Sequence, residues 1–266
     1  MEYQKYTPEG WYDKTEPISK EALNEALING NIMEAKVIKC DPNYNLYLDL
    51  KNMIGIIPRE EIEAVNIDET GFPKPNICIS KVNKIVQFKV KDITKDDIAI
   101  LSRKRVGQDA LSWVKTDLKE GNIVDGIVRN IRPYGAFIEI GGGIVGLLHI
   151  EDISVARIKT PNERINIGQK LKVMIKSIDR KTSRIILTYK ELLGTWEENA
   201  KKFKEGIRVS GIVRETEKSK NGIFIELTPN LIGLAEYREN IEYGQNVEVY
   251  IKKIIPEKKK IKLIIV

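Results

Sequence analysis

The sequence predicts a mostly β protein in which linker helices join three tandem, closed, five-stranded barrels, and three observations carry that prediction. Residues 121–190 hold five short runs of alternating apolar residues, at 123–131, 135–140, 146–149, 171–178 and 184–188, set apart by Gly, Pro, Asn or Lys/Arg clusters. Five strands of this length suit a small barrel closed on itself. A junction of one kind then occurs three times, EALINGNIMEAKVIK, TDLKEGNIVDGIVRN and KKFKEGIRVSGIVRE, with Gly30, Gly121 and Gly206 in one column. Leu27, Leu118 and Phe203 stand three residues before those glycines and Ala35, Gly126 and Gly211 five after, which marks an internal repeat. Finally, 266 residues exceed one small domain and divide naturally into three copies of helix followed by barrel.

The elements follow in order. Residues 1–17 mix Tyr, Pro, Gly and charges without a period and read as an arm, whose Trp11 and Tyr12 are expected to pack on the first domain. The first unit, 18–104, opens with a helix that has Ser19 as N-cap, Glu21 and Glu25 early and Gly30 at its stop. Its barrel aligns NYNLYLDLKNMIGIIPREEIE with PYGAFIEIGGGIVGLLHIEDIS of the second, and a long loop, NIDETGFPKPNICIS, acidic at its start, follows. Residues 105–120 predict a linker helix with Asp109 as N-cap, Leu111, Val114 and Leu118 on one face, and Trp113 anchoring it to a barrel. The second barrel spans 121–190. A second linker helix over 191–205 shows Thr195 and Glu198 at capping-box spacing and Trp196, Ala200 and Phe203 on one stripe. The third barrel, 206–266, closes on the strand IKLIIV.

Alternation in the second barrel assigns side chains to faces. Leu171, Val173 and Ile175 fall on one side of the fourth run, and Lys170, Lys172 and Lys176 on the other. In the second run Ala136, Ile138 and Ile140 point inward, so Phe137 shares the outer face with Glu139. An outward aromatic exposes apolar surface and asks for a ligand. Tyr134 precedes it at the strand entrance and His149 ends the third run.

The strings YGAFIEIGGGIVGLLHI, INIGQKLKVMIKSID and SRIILT resemble the S-one (S1) RNA-binding domain, the repeat named after a ribosomal small-subunit protein. The resemblance covers the whole second barrel and implies the oligonucleotide-binding (OB) fold, with a ligand face of two aromatics, a histidine and an Asp/Arg pair. Carried over by position, Tyr134 and Phe137 are base-stacking platforms, His149 stacks or hydrogen-bonds, and Asp179 and Arg184 edge the groove; the turn between that pair, 179–183, is slightly long. Lys170, Lys172, Lys176 and Arg129 complete the expected RNA-binding set. The first barrel keeps Tyr44 and Tyr47 at the aromatic positions but has Pro58 in place of the histidine, and Thr94 and Ile98 in place of the charged pair, which predicts weak RNA binding or protein docking. The third keeps Phe224, loses the first aromatic to Asn221 and the histidine to Glu236, and offers Lys218, Lys220 and Lys260 to a phosphate backbone. Tyr44, Tyr47, Phe224, Lys218, Lys220 and Lys260 are therefore expected as secondary contacts.

Charge agrees with this ranking. Twelve basic against six acidic side chains give 121–190 a net +6, against +1 for 30–104 and +2 for 205–266, within a whole chain of +6 and pI near 9.0. Basic surface draws phosphate, and a stacked base contributes about 1–3 kcal/mol whatever its sequence. With 42% hydrophobic and 31% charged residues, no long apolar run and no basic-then-apolar leader, the reading is a cytoplasmic protein without a membrane partner and a monomer. Cys40 and Cys78 lie outside any CxxC or Cys/His cluster, Asp96-Asp97 and Glu60-Glu61 lack metal-ligand spacing, and Gly141-Gly142-Gly143 is a tight turn rather than a phosphate cradle, so no metal or cofactor is expected. One histidine and no catalytic signature argue against an enzyme. The expectation is non-catalytic binding of single-stranded RNA in translation or RNA metabolism, with the small ribosomal subunit as a partner the resemblance permits. The alternatives are an adaptor docking on ribosomal or RNA-degradation proteins, and single-stranded DNA binding or transcription regulation.

Overall fold

A computed structural model describes residues 5–12, 17–51, 53–63, 67–217 and 222–266. Helix α1 (Lys20–Asn29) precedes the first barrel, built from β1 (Met33–Cys40), β2 (Leu46–Asp49), β3 (Ile54–Ile57), β4 (Ile85–Ile93) and β5 (Ile98–Ser102), with the five-residue α2 (Pro75–Ile79) in its long loop. Helix α3 (Arg103–Thr116) leads to β6 (Ile123–Arg132), β7 (Gly135–Gly141), β8 (Ile144–His149), β9 (Lys170–Asp179) and β10 (Arg184–Thr188). The short α4 (Trp196–Ala200) leads to β11 (Arg208–Glu217), β12 (Gly222–Thr228), β13 (Leu231–Glu236), β14 (Asn246–Ile255) and β15 (Lys260–Ile265). All three sheets close with one topology: strands one, two and three form an antiparallel meander, the fifth runs parallel to the third, and the fourth joins the fifth to the first. Three OB barrels are thus present, each with its own apolar core.

The local signals set most boundaries. The Ser19 hydroxyl accepts the Ala22 N–H, and Gly30 ends α1 in the left-handed region at φ 68°. Thr195 and Glu198 form the expected capping box. Two linker expectations need correction. Helix α3 starts earlier than 105–120: Ser102 caps it by accepting the Arg105 N–H, which leaves Asp109 inside the helix, paired with Lys89 at 2.5 Å. The second linker is one five-residue helix after a 3-10 turn at Lys190–Leu193, because Gly194, at φ 84°, breaks the chain between them.

The arm also departs from expectation. Tyr6 is buried in the core of the second barrel, tilted on Trp113 at 5.6 Å, and Trp11 lies under the Lys170 ammonium, also of the second barrel. Tyr12 is exposed. The turn Gly141-Gly142-Gly143 is the seat of the arm: its glycines have φ of 123°, 58° and 76°, and a Cβ at Gly141 would lie 2.2 Å from the Tyr6 carbonyl oxygen.

Each joint between barrels is an ion-pair socket at one register. In β6 and β11 a bulge frees Arg129 and Arg214 from the ladder, and each guanidinium pairs with the carboxylate across the hairpin, Glu139 or Glu226. At the first joint the arm fills the socket: the Glu9 N–H donates to Glu139 at 2.8 Å, the Glu9 carboxylate accepts from Arg103 at 2.7 Å and from the Gln87 N–H at 3.1 Å, and Arg129 reaches the Glu9 carbonyl. Burial alone would raise the Glu9 carboxyl, but Arg103 and Lys81 outweigh it and hold the group at about 2. Burial and the Glu9 charge push Glu139 up. At the second joint the second barrel itself supplies the plug: Glu163 pairs with Arg214 at 2.5 Å, Arg164 pairs with Glu226, and the Asn230 amide donates to the Lys190 carbonyl at 2.6 Å.

Candidate nucleic-acid interface

The outer face of β7, β8 and β10 in the second barrel gathers most of the expected set. Phe137 stands opposite Asn130 on β6 and Leu147 on β8, while Gly135 stands opposite His149, so Phe137 and His149 are diagonal neighbours on one face. Their alternates Ala136, Ile138 and Leu148 are fully buried. Tyr134, half exposed, meets Phe137 edge to face with ring centroids 6.3 Å apart and planes at 85°. Gly135 lets the strands close up here, since a Cβ would lie 2.5 Å from the Leu148 carbonyl oxygen. The His149 imidazole is 41% exposed and its Nδ1 accepts the Glu151 N–H at 3.4 Å, which orients the ring. Two rings at right angles beside an accessible imidazole expose the kind of flat aromatic surface that can stack a base.

The charged groups divide into two sets. Lys176 and Lys190 both pair with Asp152, at 2.8 and 3.0 Å, at the His149 end of the face. Burial pushes the Asp152 carboxyl up, but the hydrogen bonds from the two lysines outweigh it and hold the group low. The carboxylates of Glu151 and Glu191 also face Lys176, so the two ammonium groups stand among acidic neighbours there. Arg184 is exposed and stands opposite Asp179 in the ladder, while the Asp179 carboxylate accepts from the Thr182 hydroxyl at 2.6 Å and the Lys181 N–H at 3.0 Å. These hydrogen bonds hold the Asp179 carboxyl low, so its main work is to fix the long turn, where Ser183 has a φ of 54°. Lys172 pairs with Asp125 at 2.7 Å, and Lys170 covers Trp11.

The structure departs from the sequence reading at one place. Glu139, placed on the outer face by phase, is buried in the socket of the first joint, and Arg129, expected in the RNA-binding set, is exposed but pairs there with Glu139 and with the Glu9 carbonyl. The signal was present in the junction alignment, where Arg129 and Arg214 share a column that holds Ile38 in the first copy. Exposed Arg132, opposite Gly135 and two residues before Tyr134, and Lys190, on Asp152, belong to the face and were not singled out. A basic residue at the end of β6, two residues before Tyr134, was the available signal for Arg132.

The other barrels present altered versions of this face. In the first, Tyr47 stands opposite Lys39, whose ammonium lies 4.3 Å from its ring, and Tyr44 lies beneath the Arg59 guanidinium. In the third, Phe224 faces Leu234, and Glu236 stands opposite Gly222 where His149 stands opposite Gly135. Lys260 opens β15, opposite Ile255. Lys218, Lys220 and Asn221 lie outside the described residues. Among the described residues no group of His, Cys, Asp or Glu has the arrangement of a metal site, and no helix is long and apolar enough to cross a membrane.

The family model of the S1 RNA binding domain matches residues 27–104 and 117–190. The small ribosomal subunit protein bS1 of Staphylococcus aureus (strain MRSA252) is 34% identical over 258 residues, covering 91% of this chain and 63% of the relative. The bS1 protein of Rhizobium meliloti (strain 1021) is 34% identical over 233 residues, covering 81% of this chain and 39% of that one. The chain thus spans less than two thirds of the length of these relatives. Among solved structures, GSP13 from Bacillus subtilis aligns over 30% of this chain and 61% of its own, at 24% identity and a TM-score of 0.29.

Proposed function

Since the chain belongs to the S1 RNA-binding domain family, we propose that its second barrel is the principal binding site for single-stranded RNA, used in translation or RNA metabolism in the cytoplasm. The observation that carries this reading is the juxtaposition on one sheet face of Tyr134, Phe137 and His149 with Lys176, Lys190 and Arg184 around it. Bases stack on the two rings and the imidazole, and the cations neutralise the backbone and release counterions, so binding tolerates many sequences and weakens with salt. Nothing in this chemistry consumes the ligand; the role is to hold RNA. Asp179 and Arg184 border the groove, and Lys170 and Lys172 lie farther out, where their partners are Trp11 and Asp125. Phe224 and Lys260 of the third barrel extend the track, with Lys218 and Lys220 as further backbone contacts. Ribosome association is part of the proposal because the relatives are ribosomal proteins by name.

An adaptor role for the outer barrels is the second reading. Glu236 repels phosphate where the second barrel has His149, and the Tyr44 ring is already covered. Titrating a fluorescent dozen-nucleotide RNA at 50 and 200 mM salt tests the main reading. With about three phosphates contacted, affinity falls roughly twenty-fold over that range. Absent binding, or binding indifferent to salt, would refute it and leave the protein-docking role.

A further inference from the structure

The first barrel differs from the second in what sits on its aromatic platform. Tyr44 aligns with Tyr134, and the ladder supports the match: Leu46 pairs with Ile57 as Ala136 pairs with Leu148. Over the Tyr44 ring, at 4.9 Å, lies the Arg59 guanidinium, and 5.3 Å from the same guanidinium is the ring of Phe72 from the long loop. The guanidinium therefore lies against both rings, a cation–π contact on the aromatic surface that in RNA recognition a base would take. It is also pinned in that place. Its Nε and Nη2 donate to the Pro73 carbonyl at 3.1 and 2.9 Å, Nη2 donates to Asp68 at 2.8 Å, and the Arg59 side chain is only 20% exposed. Asp68 is fixed in turn by accepting from the Thr70 and Phe72 N–H groups.

We infer that the first barrel holds a latent base-stacking site closed from within, with Arg59 lying in the slot that a base would take and the loop around Asp68, Phe72 and Pro73 acting as its latch. This rests on the reading that the second barrel binds RNA through the equivalent ring. Three consequences separate the latch from mere packing. RNA bound to the native chain is confined to the second and third barrels. Freeing Tyr44 lengthens the footprint toward the first. The gain depends on Tyr44 itself.

The test compares a short RNA, enough for one barrel, with one about three times as long, against the wild type, Arg59→Ala, Phe72→Ala and Arg59→Ala/Tyr44→Ala. The latch predicts no change for the short RNA, and about a tenfold gain for the long one in Arg59→Ala, the scale of one stacked base. It predicts a smaller gain in Phe72→Ala and return to the wild-type value in the double variant. Phe72 is partly exposed, so its removal reads the latch even where Arg59→Ala does not fold. Photocrosslinking in the wild type adds a readout without substitution: crosslinks at Tyr134 and none at Tyr44. Crosslinks at Tyr44 in the native chain, unchanged long-RNA affinity in folded latch variants, or a gain that survives loss of Tyr44 would overturn the inference. A wild type that binds no RNA at all would instead sink the proposed function.

Discussion

Arg129 and Arg184 belong to one barrel and both reach solvent, yet they differ in the partners that decide their work. Arg184 stands exposed on β10 beside the platform formed by Tyr134, Phe137 and His149. Arg129 is turned by a bulge toward buried Glu139 and the arm. Charge alone does not identify a phosphate contact, because the same guanidinium serves equally well as mortar between barrels. What separates the two is whether a carboxylate is buried opposite.

The largest expected effect lies at the joint. Arg103→Ala leaves the buried Glu9 carboxylate without its main partner and should cost about 3–5 kcal/mol, read as an early loss of the first joint in urea denaturation. Native-like denaturation of that variant would show that the Glu9 network is incidental. Next comes a crossed pair. Arg129→Ala should destabilise by about 1–3 kcal/mol, because Glu139 loses a partner, and leave RNA affinity unchanged. Arg184→Ala should leave stability within about 0.5 kcal/mol and reduce the salt slope of binding by about one. If the first of these variants weakens RNA and the second does not, the division of labour between the two arginines is reversed.

The first joint also carries a pH dependence. Glu9 is held at about 2, below its ordinary value of 4.5, so its contribution to the joint is present above pH 4.5 and is lost as pH falls from there toward 2. Small-angle scattering should show the first two barrels separating across that window, and a Glu9→Gln variant, already loosened, should respond less. A wild type that keeps its compact form down to pH 2 would contradict the linkage.

Much of the architecture was legible because strand alternation and the glycine-marked junction are local signals. The Ala136/Ile138/Ile140 phase and the Ser19, Gly30 and Thr195 caps all stand as the sequence implies. The misplaced pieces depend on contacts distant in the chain. Asp109 looks like a cap until Ser102, whose hydroxyl also donates to Glu61, takes that place. Glu139 looks outward by period two, but the outer side of a barrel is solvent only where no neighbour docks, and Glu9 docks 130 residues away. The Arg59 stack joins a strand end to a loop, which no single-sequence period encodes.

The most direct test of the central claim is fluorescence anisotropy of a labelled dozen-nucleotide single-stranded RNA with the wild type and with Phe137→Ala/His149→Ala, each checked for native circular dichroism. The account predicts salt-sensitive binding by the wild type and a loss of about 2 kcal/mol or more in the double variant, with folding retained. A folded double variant that binds RNA as tightly as the wild type would place the RNA site elsewhere on the molecule.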